Sequence, residues 1–232
     1  MNNLVIIGIS ETAGRAFSFV QRHGLFNVIG FAADRQYVNP MKPTYCGLPV
    51  YALDELHKHI DVNNDYVFVA ILWNHLNADR RRLFEKIYNQ HIYKFASLVS
   101  PLASVRGQIG VNCWVSDFVA IQEDVTIGNN VYLKDSAIVG HLTQIQDHAF
   151  CAVGSTICGT CVIGEQSYIG ARATIFDGTH IGKKCLVGGG VIIKRNIPPF
   201  TRVKILTEHS QEIKSYEESE IENKWISTLN VR

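Results

Sequence analysis

Proton transfer near neutral pH is the first chemistry this chain could perform. Three histidines, His141, His148 and His180, fall within its most regular stretch, and imidazole titrates in the range a general base requires. Glu123 precedes His141 by eighteen residues and could orient its ring if the two are brought together. Cys158 and Cys161 form a CxxC, a spacing that can hold a metal or close a disulfide. The run GISETAG, Gly8 to Gly14, ends an apolar stretch and opens a helical one. Its first amides could hold a phosphate, with Ser10 and Thr12 as further donors, and Asp34 could accept from a base or ribose. This run lacks the middle glycine of GxGxxG, which leaves nucleotide binding and a purely structural turn both open.

The elements that position these residues are set by a repeat. From Ile109 to Ile193 every sixth residue is apolar, and the position four residues later, from Cys113 to Val191, is held to small or medium side chains. Helices recur at 3.6 residues and strands at 2, so a period of six fits neither. It fits a short strand and a turn, three of which close a triangular coil, with coils stacked as a solenoid. About five coils are expected. Glycine follows the apolar residue at 110, 128, 140, 164, 170, 182 and 188, where a corner needs freedom from Cβ crowding. Residues eighteen apart should stack, placing Glu123 about one strand spacing, roughly 4.8 Å, from His141. The register turns Cys158 outward and Cys161 inward, so Cys113, Cys151, Cys161 and Cys185 read as core filler. His148 and His180 fall on other faces and are expected in solvent.

Residues 1–100 lack the repeat and read as a separate α/β domain. Leu4–Gly8, Val28–Ala32 and Tyr66–Leu72 are strand-like; Ala13–His23, stopped by Gly24, and Ala78–Gln90 have helical spacing. The expected assembly is a small parallel, Rossmann-like sheet that takes ligands on the loops Gly8–Gly14, Ala33–Tyr37 and 73–76, the last carrying Asn74. Arg80, Arg81 and Arg82 read as a solvated helix face. The repeat domain spans 101–206, and 207–232 forms a tail whose polar, helix-compatible residues 209–226 would cap the last coil. A net charge of +1 argues against nucleic acid as a partner. No run is long and apolar enough to cross a bilayer and the N-terminus lacks signal-peptide features, so a cytoplasmic location is expected and no membrane partner.

With cores such as IGNNVY, IGEQSY and IGARAT, the repeat resembles the hexapeptide-repeat acyltransferases, which are left-handed parallel β-helices that usually work as trimers. Together with the α/β domain before it, it resembles the sugar acyltransferases of bacterial surface-glycan pathways, the group of the sialic acid O-acetyltransferase and the nucleotide-amino-sugar N-acetyltransferases. The resemblance implies transfer of acetyl from acetyl-CoA to a nucleotide-linked amino sugar, without a metal, at sites between the subunits of a homotrimer. The segment VGHLTQIQDHAF, ending its match at Asp147, corresponds to the family's catalytic segment and makes His141 the base. CoA would lie against Gly159, Ala171 and Gly189 with Lys194 near its phosphates. The acceptor nucleotide would be held by Gly8, Ser10, Thr12, Asp34 and Asn74. Gly140 stands where the family places an acid beside the base, so Glu123 or Asp135 would supply that charge, and Phe150 replaces a second histidine. An O-acetyltransferase, a zinc lyase using three histidines and a non-catalytic nucleotide-sugar binder are the alternatives.

Overall fold

The computed structural model describes residues 1–41, 43–72, 74–207 and 210–224. Two compact units result: Met1–Leu72 with Arg82–Leu98, and Trp73–Arg81 with Val99–Arg232. Residues 73–81 thus group with the repeat, although they lie within the first hundred residues.

The first unit is built on a six-stranded sheet. Its strands are β1 (Asn3–Ile7), β2 (Asn27–Ala33), β3 (Thr44–Tyr45), β4 (Leu48–Ala52), β5 (Tyr66–Val69) and β6 (Lys94–Phe95), in the order β3-β4-β2-β1-β5-β6. All neighbours are parallel except the β3–β4 hairpin. Leu4 to Ile7 are at most 1% exposed, as expected of a parallel strand covered on both faces. Helix α1 (Glu11–His23) buries Ala13, Ala16, Phe19 and Val20. It stops where Gly24 turns left-handed at φ 61° and its amide reaches back to the last turn. Helix α2 runs Ala78–Tyr88. The β3–β4 hairpin and β6 carry no strong periodic signal and go beyond the elements expected from sequence.

The second unit is a parallel β-helix of two-residue strands in three sheets. One sheet aligns Ile138 with Thr156, Thr174 and Ile192, each eighteen residues on. Inward apolar side chains such as Val139, Ile157, Ile163, Ile169 and Ile175 are wholly buried. The first coil is shorter: Ser104 pairs with Ala120, sixteen residues on.

The corners work differently from the sequence expectation. Every sixth residue from Asn112 to Gly190 has positive φ, and most are not glycine, including Leu142, His148, Thr160 and Gln166. A left-handed residue costs roughly 1–2 kcal/mol. From Asn130 to Gly190 each is compensated by a backbone bond to the preceding coil, as in Leu142 N–H to Glu123 O (3.1 Å) and Thr160 N–H to His141 O (2.8 Å). The glycines after the apolar positions answer a different need, close approach between coils. A Cβ on Gly164 would sit 2.4 Å from the backbone at Gly182 and Lys183.

Beyond Ile193, a strand over Thr201–Thr207 pairs with Leu186–Val187 and folds back antiparallel onto Ser210–Ser215. A third of the segment expected to be helical, Ser210–Ser215, is therefore strand, because Thr201–Thr207 offers it backbone partners. Helix α3 (Glu218–Lys224) follows, and the remainder of the expected cap, 225–226, lies outside the described residues. No described helix is long and apolar enough to cross a membrane.

Candidate active site

His141 lies at a corner of the β-helix, two residues past the inward Val139, with its side chain exposed. Its amide donates to Gln122 Oε1 (2.9 Å) and its carbonyl accepts from Thr160 N–H (2.8 Å), which fixes the backbone on both sides. The imidazole lies against Gly159 on the next coil. A Cβ there would fall 2.5 Å from Cε1, 2.8 Å from Nδ1 and 2.9 Å from Nε2. Gly159 is itself anchored through its amide to Asp177 Oδ1 (2.9 Å). An exposed imidazole on a fixed backbone can take and return a proton.

Glu123 lies one coil from His141, its carbonyl accepting from Leu142 N–H (3.1 Å). Its carboxylate pairs with Arg106 (2.6 Å), and both side chains are more than half exposed, so the pair contributes little to stability. The sixteen-residue first coil brings Arg106 N–H onto Ile121 O and its guanidinium within reach of Glu123. Lys194 extends from the same corner as His141, its ammonium 5.2 Å from the Phe176 ring centroid. Ala171 and Gly189 stack on one another at a different corner, where a Cβ on Gly189 would lie 3.2 Å from Ala171 O. His141 and Gly159 are thus in contact, Lys194 lies on the same corner three coils on, and Ala171 and Gly189 lie on another.

His148 is buried, contrary to the expectation of solvent, because Arg80 covers its corner, donating to the carbonyls of His148 and Ala149, and its ring joins a column of polar residues. Asn112 Nδ2 donates to Asn130 Oδ1 (2.9 Å), and Asn130 Nδ2 bonds His148 Nδ1 (2.9 Å). Burial, followed by the charges of Arg80 and Arg81, pushes the His148 pKa down to about 3. The unfolded chain, titrating near 6.5, then binds a proton that the native state refuses. His148 therefore leaves stability intact above about pH 6.5 and removes it progressively as pH falls toward 3. The melting temperature of the wild type should drop between pH 6.5 and 4 more steeply than that of His148→Asn; parallel curves would refute this.

Arg80 also departs from expectation. It is fully buried, its guanidinium 4.0 Å from the Tyr132 ring centroid and donating to the carbonyls of His148 (2.8 Å) and Ala149 (3.1 Å). Arg81 is partly buried and pairs with Glu165 (3.1 Å). All six cysteines are free thiols, with Cys161 buried and Cys158 half-buried.

In the first unit, a cavity of about 230 Å³ opens at the carboxyl ends of β1 and β2. Ile7, Gly8, Ile9, Ser10, Ala33 and Asp34 are among its lining residues, so its walls are mostly apolar. Gly8 has φ 129°, and a Cβ would meet Ala70 O at 2.7 Å. Ser10 precedes α1 without capping it, and its buried hydroxyl has no partner among the described residues. Asp34 stands at the rim, paired with Lys86 (3.1 Å). Thr12, in the first turn of α1, is 8% exposed and is not among the residues that line this cavity. Asn74 groups with the second unit and does not line the cavity. Sequence reasoning missed Tyr45, whose hydroxyl donates to Ser10 O (3.0 Å), and Gln122, whose amide side chain gives no periodic signal.

Residues 161–195 match the family described as "Hexapeptide repeat of succinyl-transferase". Among solved structures, the perosamine N-acetyltransferase of Caulobacter crescentus, determined with CoA and GDP-perosamine, is 23% identical. It superposes with a TM-score of 0.78 over 93% of this chain and 98% of its own. The acetyltransferase domain of PglB from Neisseria gonorrhoeae is also 23% identical, with a TM-score of 0.75 over 88% of this chain and 96% of that one. These likenesses establish the fold, a left-handed parallel β-helix following an α/β unit. An acyl-[acyl-carrier-protein]–UDP-N-acetylglucosamine O-acyltransferase of Gloeothece citriformis is 32% identical over 108 residues, 44% of this chain and 39% of that protein. The galactoside O-acetyltransferase of Escherichia coli is 29% identical over 93 residues, 39% of this chain and 46% of that protein. The chain spans less than half the length of these curated relatives.

Proposed function

We propose that this chain, a member of the hexapeptide-repeat acyltransferase family, transfers an acetyl group from acetyl-CoA to the amino group of a nucleotide-linked amino sugar. The observation that carries this reading is the exposed His141 imidazole seated on Gly159 at a corner of the β-helix. His141 takes the proton from the acceptor amine as its nitrogen attacks the thioester carbonyl. The C–S bond then breaks, and the departing CoA sulfur receives the proton. Backbone N–H groups stabilise the intermediate oxyanion. Gly159 and Lys194 line the donor side on His141's corner; Ala171 and Gly189, on another corner, serve the donor from a neighbouring subunit. The nucleotide occupies the first unit's cavity, with Gly8 permitting close approach and Ser10 and Asp34 as its polar contacts. The perosamine enzyme, with the same succession of units, holds CoA and GDP-perosamine.

The assembled enzyme is a homotrimer with its sites between subunits. Exposed apolar residues surround His141: Leu142 is 54% exposed, Ile138 41%, Phe176 42% and Ile192 48%. Leu142→Glu is expected to yield a folded monomer without activity, read by sedimentation and turnover together; a fully active monomer would refute the shared site. O-acylation is the second reading, favoured because curated relatives matching the β-helix are O-acyltransferases. A thiol-release assay with acetyl-CoA against UDP-, GDP- and dTDP-linked amino sugars, beside their hydroxyl counterparts, decides. Release with hydroxyl acceptors alone would replace the N-acyl reading by the O-acyl one.

A further inference from the structure

We propose that Asp177 is a positioning residue for His141: its carboxylate holds the amide of Gly159, against which the imidazole lies, so that the ring keeps one seat. This role rests on the reading of His141 as the base.

Gly159 follows His141 by one coil, and a Cβ on it would meet three ring atoms at 2.5–2.9 Å. The missing side chain that admits the ring also leaves this backbone the freest in φ and ψ. A seat made of glycine does not determine its own shape, so bonds from outside must. Both ends of the Cys158–Gly159 peptide receive one. The buried Thr143 donates through Oγ1 to Cys158 O (3.0 Å), and Gly159 N–H donates to Asp177 Oδ1 (2.9 Å). Gly159 O accepts from Gly178 N–H (3.0 Å), so both backbone polar groups of the glycine are engaged.

Asp177 lies one coil beyond Gly159 on His141's own corner, with its side chain exposed. A carboxylate accepting from a backbone N–H makes a stronger bond than a neutral acceptor does. Gln122 holds His141 in the same manner, its Oε1 accepting the histidine amide (2.9 Å). The base is thus tied from the coil before it, and its seat from the coil after. Capping of an amide across coils recurs elsewhere in the β-helix. Asn129 Oδ1 accepts from Val111 N–H (3.0 Å) over the same eighteen residues, on a different corner from His141. What sets Asp177 apart is the imidazole lying against the residue it caps.

The test compares Asp177→Ala, Asp177→Asn and Asn129→Ala in the full chain, with His141→Ala alongside. The Asp177 side chain is exposed, so alanine leaves the fold intact. If about a tenth of the Asp177→Ala molecules keep the peptide in its present arrangement, kcat falls about tenfold while the acceptor and acetyl-CoA KM values stay near wild type. Asparagine retains an oxygen for the Gly159 amide, so Asp177→Asn should recover most of the rate. Asn129→Ala loses an equivalent bond on another corner and should keep its rate. Two readouts do not depend on turnover. Exchange of the Gly159 amide should quicken in Asp177→Ala and the His141 Hε1 resonance should move, both returning toward wild type in Asp177→Asn. Unchanged exchange overturns the hold on Gly159. Faster exchange with an unmoved resonance overturns the link to the ring. Equal losses of kcat in Asp177→Ala and Asn129→Ala, or a rise in the acetyl-CoA KM at unchanged kcat, overturn the positioning role. If His141→Ala keeps its rate, the reading of His141 as base falls, and exchange and resonance still decide whether Asp177 sets its seat.

Discussion

His141→Ala is expected to lower acetyl transfer by roughly 10²- to 10⁴-fold while leaving CoA binding and the melting temperature near wild type. That loss corresponds to about 3–5 kcal/mol of transition-state stabilisation. The separation of activity from stability follows from the geometry. The imidazole is exposed, and the bonds that hold the corner are made by the His141 amide and carbonyl, which alanine retains. An exposed side chain away from caps and cores contributes within about 0.5 kcal/mol. Thiol release under saturating acceptor and donor measures the effect, and His141→Gln should resemble alanine because an amide cannot accept the proton. Retention of more than about a tenth of the wild-type rate would remove His141 from the role of base.

Where sequence reading succeeded, a one-dimensional period imposed a three-dimensional one. The six-residue spacing fixes which residues point inward, and Cys161 and His180 lie where it places them, buried and exposed. It failed where a side chain's partners come from elsewhere in the chain. Glu123 stacks on His141's coil eighteen residues on, with Leu142 N–H donating to its carbonyl, but its carboxylate pairs with Arg106. The period places His148 at a corner but does not show that Arg80, from the segment before the repeat, covers that corner. Arg80 looked like one of three solvated arginines. Its burial depends on aromatic rings at Tyr132 and Phe150, about fifty and seventy residues away, which no local pattern reveals. In the first unit, β1, β2, β5 and both helices were legible from apolar runs and Gly24, but the two-residue strands β3 and β6 are too short to show a period.

The same substitution at two corner glycines should have opposite consequences. At Gly159 the three heavy atoms nearest a new Cβ all belong to the His141 ring, at 2.5–2.9 Å. A side-chain ring can swing away, so Gly159→Ala should fold and melt almost as wild type yet lose much of its activity, because the displaced imidazole no longer points where the acceptor proton lies. A misplacement of about 1 Å can cost on the order of 10²-fold. At Gly164 the new Cβ would fall 2.4 Å from the carbonyl carbon of Gly182 and the nitrogen of Lys183. Neither can move without separating two coils whose backbones are tied by Gly164 N–H to Ile181 O (2.8 Å). Overpacking of this kind typically costs 1–3 kcal/mol and sometimes more, and backbone atoms on the far side place Gly164→Ala at the upper end, about 3 kcal/mol. For a chain of this size that is a fall in melting temperature of roughly 6–12 °C. Thermal melts and thiol release on both variants make the comparison. A Gly159→Ala protein that melts as low as Gly164→Ala would show that Gly159 is a packing glycine like the rest, and that His141 rests on it without depending on it.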